Sequence, residues 1–155
     1  MTEWILALML SLASLEGPAE WRDTYRTTAI AIADVARETP LFEGDDGRKT
    51  AALLVAIAWH ESRFRQDAVG DKGRSHCLVQ ISNSNFESLG VTREDLQDPK
   101  VCLRAGIRMI KESFRVCREY PLLERLGWYA SGGAGCRGTR ASRLRMGLAQ
   151  KLAKQ

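Results

Sequence analysis

The spacing of apolar residues along the chain predicts a mainly α-helical protein. Residues 19–38 place alanines and isoleucines three and four positions apart, the pattern of one buried helix face. Residues 49–61 are apolar nearly all round, so we expect a buried central helix there. Asp98 and Pro99 supply an N-cap and a first-turn proline for a third long helix, running to about Glu119.

Shorter elements fill the remaining chain. We expect a short helix over residues 82–90 and another over residues 121–131, where glycine and proline mark the limits. Residues 77–82 are the only segment that is typical of an extended or β conformation. The fold class is therefore mainly α, with one very short β element.

Length limits the domain organisation. The 155 residues suffice for one domain with a real core, which we place at residues 21–155. Residues 1–20 hold an apolar run about as long as that of a signal peptide, with small residues suited to cleavage after Ala19. The start Met-Thr-Glu lacks a basic residue, which instead favours a helix packed on the domain. Both interpretations stay open, with export slightly preferred.

The basic C-terminal end of the chain adds little to the prediction of partners. The formal net charge is +4, and no acidic residue follows Glu124. Such an end suits an anionic partner, but Leu144, Leu148 and Leu152 recur every four residues and predict a solvated helix with its leucines turned inward. We expect weak attraction to an anionic envelope as a by-product. No recognition motif supports binding to nucleic acid.

The four cysteines allow disulfides if the protein works outside the cytoplasm, or buried thiols if it works inside. Cys102 and Cys117 share a predicted helix, where fifteen steps separate them by roughly 22 Å, so they cannot bond each other. Two arrangements remain. Cys77 pairs with Cys102 and Cys117 with Cys136, or Cys77 pairs with Cys117 and Cys102 with Cys136.

Glu61 is the candidate catalytic residue, because it lies where the apolar central helix ends. Burial and the negative end of the helix dipole both favour the protonated carboxyl. A carboxyl group that keeps its proton near neutral pH can protonate a glycosidic oxygen. The alternative is a surface ion pair with Arg65, four positions later.

Metal and cofactor sites are not predicted. His60 and Glu61 begin an H-E-x-x-H pattern, but Phe64 stands where the second histidine is needed. Neither a serine triad order nor a phosphate-binding glycine loop is recognisable in the sequence.

Several blocks, in the same order, resemble the soluble lytic transglycosylase domain of the lysozyme-like group, which includes goose-type lysozymes. The family pattern is an apolar helix ending in E-S-x-F, then A-V, G-L-M-Q-I, D-P-x-x-N-I-x-x-G and A-x-Y-N-A-G. The resemblance covers about residues 51–135. The matching residues are Glu61-Ser62-Arg63-Phe64, Ala68-Val69, Cys77-Leu78-Val79-Gln80-Ile81, Asp98-Pro99 with Gly106, and Tyr129-Ala130-Ser131-Gly132.

The resemblance implies a lysozyme-like fold with its β element beside an active-site cleft. It implies cleavage of the β-1,4 bond between N-acetylmuramic acid and N-acetylglucosamine in peptidoglycan, with Glu61 as acid and then base and a 1,6-anhydro product. No cofactor is implied. It assigns substrate binding to Ser62, Gln80, Ile81 and Tyr129.

Departures from the family pattern qualify these expectations. Cys77 replaces a glycine and Cys102 an asparagine, so the resemblance favours a Cys77–Cys102 disulfide. Ala130 replaces an asparagine, which removes one hydrogen bond to the sugar and changes the fine substrate preference. Asp67 or Asp71 could activate water as a second carboxylate, and the protein would then be a hydrolytic muramidase, a lysozyme or endolysin.

The biological setting follows from the same resemblance. We expect a monomer that acts in the periplasm or cell wall, or a phage-encoded protein that acts on the wall, in remodelling or lysis. A non-catalytic peptidoglycan-binding module is the remaining alternative.

Overall fold

A computed structural model describes residues 1–13, 20–137 and 139–155. These residues form an α-rich fold with a small antiparallel sheet, as predicted for the fold class. The helices in the described residues are α1 Thr2–Leu12, α2 Glu20–Glu38, α3 Arg48–Ser62, α4 Phe86–Leu89, α5 Pro99–Val116, α6 Gly127–Ala130 and α7 Arg140–Leu152. Short 3₁₀ turns lie at Asn83–Asn85, Asp95–Gln97 and Leu122–Glu124.

Helix α3 is the centre of the core. All side chains of residues 51–58 are fully buried, because apolar residues occupy every face of this part of the helix. Helices α1, α2 and α7 all pack against α3. The prediction of a buried central helix is confirmed.

Helix α1 packs on the domain through Ile5, Leu8 and Met9, which are buried against α2 and α3. Among the described residues, none of the helices combines the length and apolarity needed to cross a bilayer. The predicted cleavage site at Ala19 lies outside the described residues, so removal of the N-terminal segment stays a prediction.

The sheet has three two-residue strands, β1 Val69–Gly70, β2 Ser75–His76 and β3 Ile81–Ser82, in the order β1-β2-β3. Val69 pairs with His76, and His76 pairs with Ile81. The expected extended segment over residues 77–82 is therefore correct only at its end. Residues 77–80 form a turn, in which Cys77 and Gln80 have left-handed φ values of 67° and 51°.

The expected helix over residues 121–131 is interrupted. The hydroxyl of Ser113 donates to the carbonyl oxygen of Arg125 at 2.7 Å and accepts from the amide of Tyr129 at 3.0 Å. A continuous helix would join these two backbone groups directly, since they are four residues apart. The inserted hydroxyl separates a 3₁₀ turn from α6, and α5 itself ends at Val116 rather than Glu119.

The predicted leucine face of α7 is correct only in part, because Leu152 is buried and Leu148 packs against the core but Leu144 does not. Leu144 is 50% exposed, whereas Met146, Ala149 and Leu152 face the core. Ser142 shares the buried face because its hydroxyl is satisfied by the carbonyl oxygen of Thr139 at 2.9 Å. The leucine spacing thus identified the helix and two of the three leucines that were expected to face inward.

Two disulfides join the elements around α5. Cys77 pairs with Cys102, which ties the turn at residues 77–80 to α5. Cys117 pairs with Cys136, which ties the end of α5 to the loop after α6. This is the arrangement that the family resemblance favoured.

We predict that Gly127→Ala lowers the free energy of unfolding by about 1–3 kcal/mol. A β-carbon at Gly127 would collide with the backbone carbonyl of Cys136, which the disulfide holds in place. Gly147 has open space around its α-carbon, so Gly147→Ala should instead stabilise α7 by about 0.5–1 kcal/mol. Urea unfolding of both variants tests this, and equal effects of the two substitutions would contradict it.

Candidate active site

Glu61 lies one residue before the end of α3, with its side chain only 18% exposed. The helix stops there because Arg63 and Phe64 adopt left-handed φ values of 55° and 63°. Their amides bond back to the carbonyl oxygens of Trp59 and Ala58. Phe64 is buried, so this turn is fixed by packing, and Glu61 is held at a defined place beside it.

Glu61 lines a cleft of about 380 Å³ between the small sheet and helices α6 and α7. Asp71, Gln80 and Tyr129 line the same cleft. The structure therefore brings together four residues that the sequence analysis named separately.

Arg145 was missed by the sequence analysis and is the direct partner of Glu61. Its Nη2 donates to Oε1 of Glu61 at 2.6 Å, and its side chain is only 12% exposed. Arg65, the partner considered from sequence, is exposed, and none of the ion pairs among the described residues joins it to Glu61. Eighty-four residues separate Glu61 from Arg145, so local spacing held no signal for this contact. Knowledge of the buried face of α7 could have revealed it.

Opposing effects set the protonation of Glu61. Burial raises the pKa of the carboxyl group, and the nearby Asp71 charge raises it further. The charge and hydrogen bond of Arg145 lower it by a smaller amount. The pKa of Glu61 consequently stays above that of an ordinary glutamate.

Tyr129 and Gln80 are held by the backbone that surrounds the cleft. The Tyr129 hydroxyl donates to the carbonyl oxygen of Val79 at 2.8 Å, and burial raises the pKa of this phenol well above its usual value. The Gln80 side-chain amide donates to the carbonyl oxygens of Cys77 at 2.9 Å and Ala68 at 3.2 Å. A β-carbon at position 70 would collide with the side-chain amide oxygen of Gln80. The cleft wall formed by these two side chains is thus well defined.

The two candidate second carboxylates occupy different places. Asp71 lies in the cleft, where one carboxylate oxygen accepts from the Ser75 hydroxyl at 2.8 Å. Asp67 is exposed and lines a separate depression with Trp59 and Gln97. Geometry therefore favours Asp71 over Asp67 for any role beside Glu61.

Ser62 and Ile81 lie in the protein interior. The Ser62 hydroxyl donates to the carbonyl oxygen of Ala58 at 3.0 Å, and Ile81 is fully buried in the core. Neither residue lines the cleft around Glu61. Their positions suit support of the cleft better than contact with a sugar, and their assignment to substrate binding stays a prediction.

A family model described as a transglycosylase SLT domain matches residues 42–145. The chain belongs to the transglycosylase SLT domain family. The matched segment contains the whole set of Glu61, Asp71, Gln80, Tyr129 and Arg145. No curated protein and no solved structure matches the chain. Membership indicates a function of the lytic transglycosylase type, with peptidoglycan as the substrate.

We predict that Arg145→Met raises the pKa of Glu61 further, because it removes the neighbouring positive charge and its hydrogen bond. NMR titration of the Glu61 carboxyl carbon measures this directly. A group that must be protonated to act loses activity as the pH rises through its pKa, so the alkaline limb of the pH profile should also move to higher pH.

Arg143→Met is the matched control, since Arg143 lies on the same helix but is exposed and 3.9 Å from Glu124. It should leave the Glu61 titration in place. An unchanged or lower pKa in the Arg145 variant would show that Arg145 does not stabilise the ionised carboxylate.

Proposed function

We propose that this SLT domain cleaves the β-1,4 bond between N-acetylmuramic acid and N-acetylglucosamine and leaves a 1,6-anhydro end. The observation that carries this proposal is one carboxyl group, Glu61, buried in a cleft with a raised pKa, within the segment that matches the family. A protonated carboxyl in such a place suits general acid catalysis on a glycosidic oxygen.

The reaction needs only one carboxyl group. Glu61 donates its proton to the glycosidic oxygen while the bond from that oxygen to the anomeric carbon breaks. The 6-hydroxyl oxygen of the same muramic acid then bonds to the anomeric carbon and returns its proton to Glu61. No water is consumed, because the substrate supplies its own nucleophile.

Arg145 makes Glu61 an effective donor. Once Glu61 has released its proton, its carboxylate is buried, and burial alone would make this state costly. The guanidinium at 2.6 Å stabilises that carboxylate. Burial raises the pKa of Glu61 and Arg145 offsets part of that rise, which favours both holding the proton and stabilising the carboxylate left after its release.

The cleft also bears on substrate preference. Ala130 lines the cleft at the position where the family has an asparagine. Because alanine offers no side-chain hydrogen bond, we propose a looser preference among amino-sugar substituents, with the reaction class unchanged.

Hydrolysis is the second candidate, and Asp71 is the observation that favours it. Asp71 lies in the same cleft as Glu61 and raises its pKa, and a carboxylate beside the acid could activate a water molecule. The products would then carry one added water and end in an ordinary reducing sugar.

We propose that the protein acts outside the cytoplasm on the cell wall, as a monomer, in remodelling or lysis. The peptidoglycan substrate and the two disulfides support this location. Exposed basic residues on and around α7 would add a weak attraction to anionic envelope polymers, without nucleic acid as a partner. They are Arg137, Arg140, Arg143, Lys151 and Lys154.

We predict that Glu61→Gln lowers the turnover of purified peptidoglycan by about 10²–10⁴-fold, because the amide cannot donate and recover the proton. Mass spectrometry of the digest by the parent protein should show anhydro-muramic ends. Asp67→Asn is the matched control and should retain activity, since Asp67 lies outside the cleft. A Glu61→Gln variant that digests as fast as the parent would rule out the mechanism.

Asp71→Asn separates the two reactions. Under transglycosylation it should still give anhydro products, with only a moderate change in rate. Under hydrolysis it should abolish turnover, and the parent digest should contain hydrated products. Retained wall binding without cleavage by the parent would indicate a binding module instead.

A further inference from the structure

The cleft around Glu61 continues into a second depression. Asn85 and Met109 line both the cleft and a neighbouring space of about 550 Å³ along α5, which we call the side compartment. Trp128 and Leu89 add apolar surface to its lining. A ligand in the cleft can therefore extend a branch into the side compartment without crossing a gap.

The side compartment is mainly cationic. Arg108, Lys111 and Arg115 line it, with Glu112 as the acidic residue among them. Glu112 binds Arg115 through two hydrogen bonds of 2.6 and 2.8 Å, so these two charges largely offset each other. At the Glu61 end of the cleft the acidic residues Glu61 and Asp71 offset the charge of Arg145, so no excess of positive charge remains there.

Lys111 is the cation that stays available. Arg108 donates to the carbonyl oxygens of Leu89 at 2.6 Å and Ser88 at 3.3 Å, which holds its guanidinium against α4. Lys111 is exposed, and none of the ion pairs among the described residues includes it. Its ammonium group can meet a ligand without breaking an existing ion pair.

We propose that the side compartment binds the acidic peptide stem that branches from muramic acid, with Lys111 facing a stem carboxylate. This inference rests on the proposed function, because only a peptidoglycan strand in the cleft would place a stem there. The glycan itself consists of uncharged amino sugars apart from the groups that carry the stem. It therefore has no anionic group of its own to pair with the cationic residues of the compartment. Trp128 and Met109 offer apolar surface for the alkyl parts of the stem.

The test compares two substrates with the intact protein. One is a soluble glycan strand that keeps its peptide stems, and the other is the same strand after an amidase has removed them. We expect the ratio of kcat/KM on stem-bearing to stem-free strands to fall roughly two- to five-fold in Lys111→Glu, mainly through KM. The difference should shrink as salt is added.

Lys49→Glu is the matched control, because Lys49 is also exposed but lines a separate depression with Leu122 and Ala149. It should keep the parent ratio. An unchanged ratio in Lys111→Glu, or an equal fall in both variants, would overturn the inference.

A direct binding measurement tests the side compartment independently of glycan cleavage. Free stem peptide is titrated into the parent protein and both variants, followed by NMR shifts of α5 amides. Weaker binding by Lys111→Glu alone supports the side compartment even if no strand is cleaved, which would count against the proposed function only. Equal binding by all three proteins, or no binding by the parent, contradicts the side compartment.

Discussion

The ion pair between Glu61 and Arg145 links the central helix to the last helix at the point where the cleft opens. Both side chains are little exposed, so the positive charge and hydrogen bond of Arg145 offset the cost of burying Glu61 in its ionised form. The rest of the site depends on this constraint. It joins the end of α3 to α7 and contributes to the charge that the cleft presents to a ligand.

The wall opposite this pair is held by covalent and steric means. Cys77 has a left-handed backbone conformation, at a position where the family pattern has glycine. Its disulfide to Cys102 anchors the turn to α5. Gly106 allows the close approach, since a β-carbon there would collide with the side chain of Val79. Val79 in turn accepts the hydrogen bond of Tyr129. The turn, α5 and α6 therefore form one rigid side of the cleft.

Local patterns predicted much of this architecture. Apolar spacing located α2 and α3, and Asp98 capped α5 as expected by accepting from the amide of Lys100 at 2.7 Å. The motif around Glu61 placed the carboxyl group at the end of a buried helix. These features depend on residues a few positions apart, which is why the sequence alone could indicate them.

The features that sequence reasoning missed depend on contacts between distant segments. The Ser113 hydroxyl divides an expected helix by bonding to backbone groups twelve and sixteen residues away. Leu144 is exposed, although Leu148 and Leu152 of the same predicted face pack on the core. Arg145 looked like one more residue of a solvated basic helix, but its side chain binds Glu61. Ser62 and Ile81 belong to the motif, yet the fold places them behind the cleft.

The role of Glu61 is tested most directly by a crystal structure of the Glu61→Gln variant with a peptidoglycan fragment that spans the scissile bond. The glycosidic oxygen should lie about 3 Å from the side chain of residue 61, with Arg145 on the far side of that side chain. A fragment bound elsewhere, or one held with its glycosidic oxygen out of hydrogen-bond reach of residue 61, would contradict it.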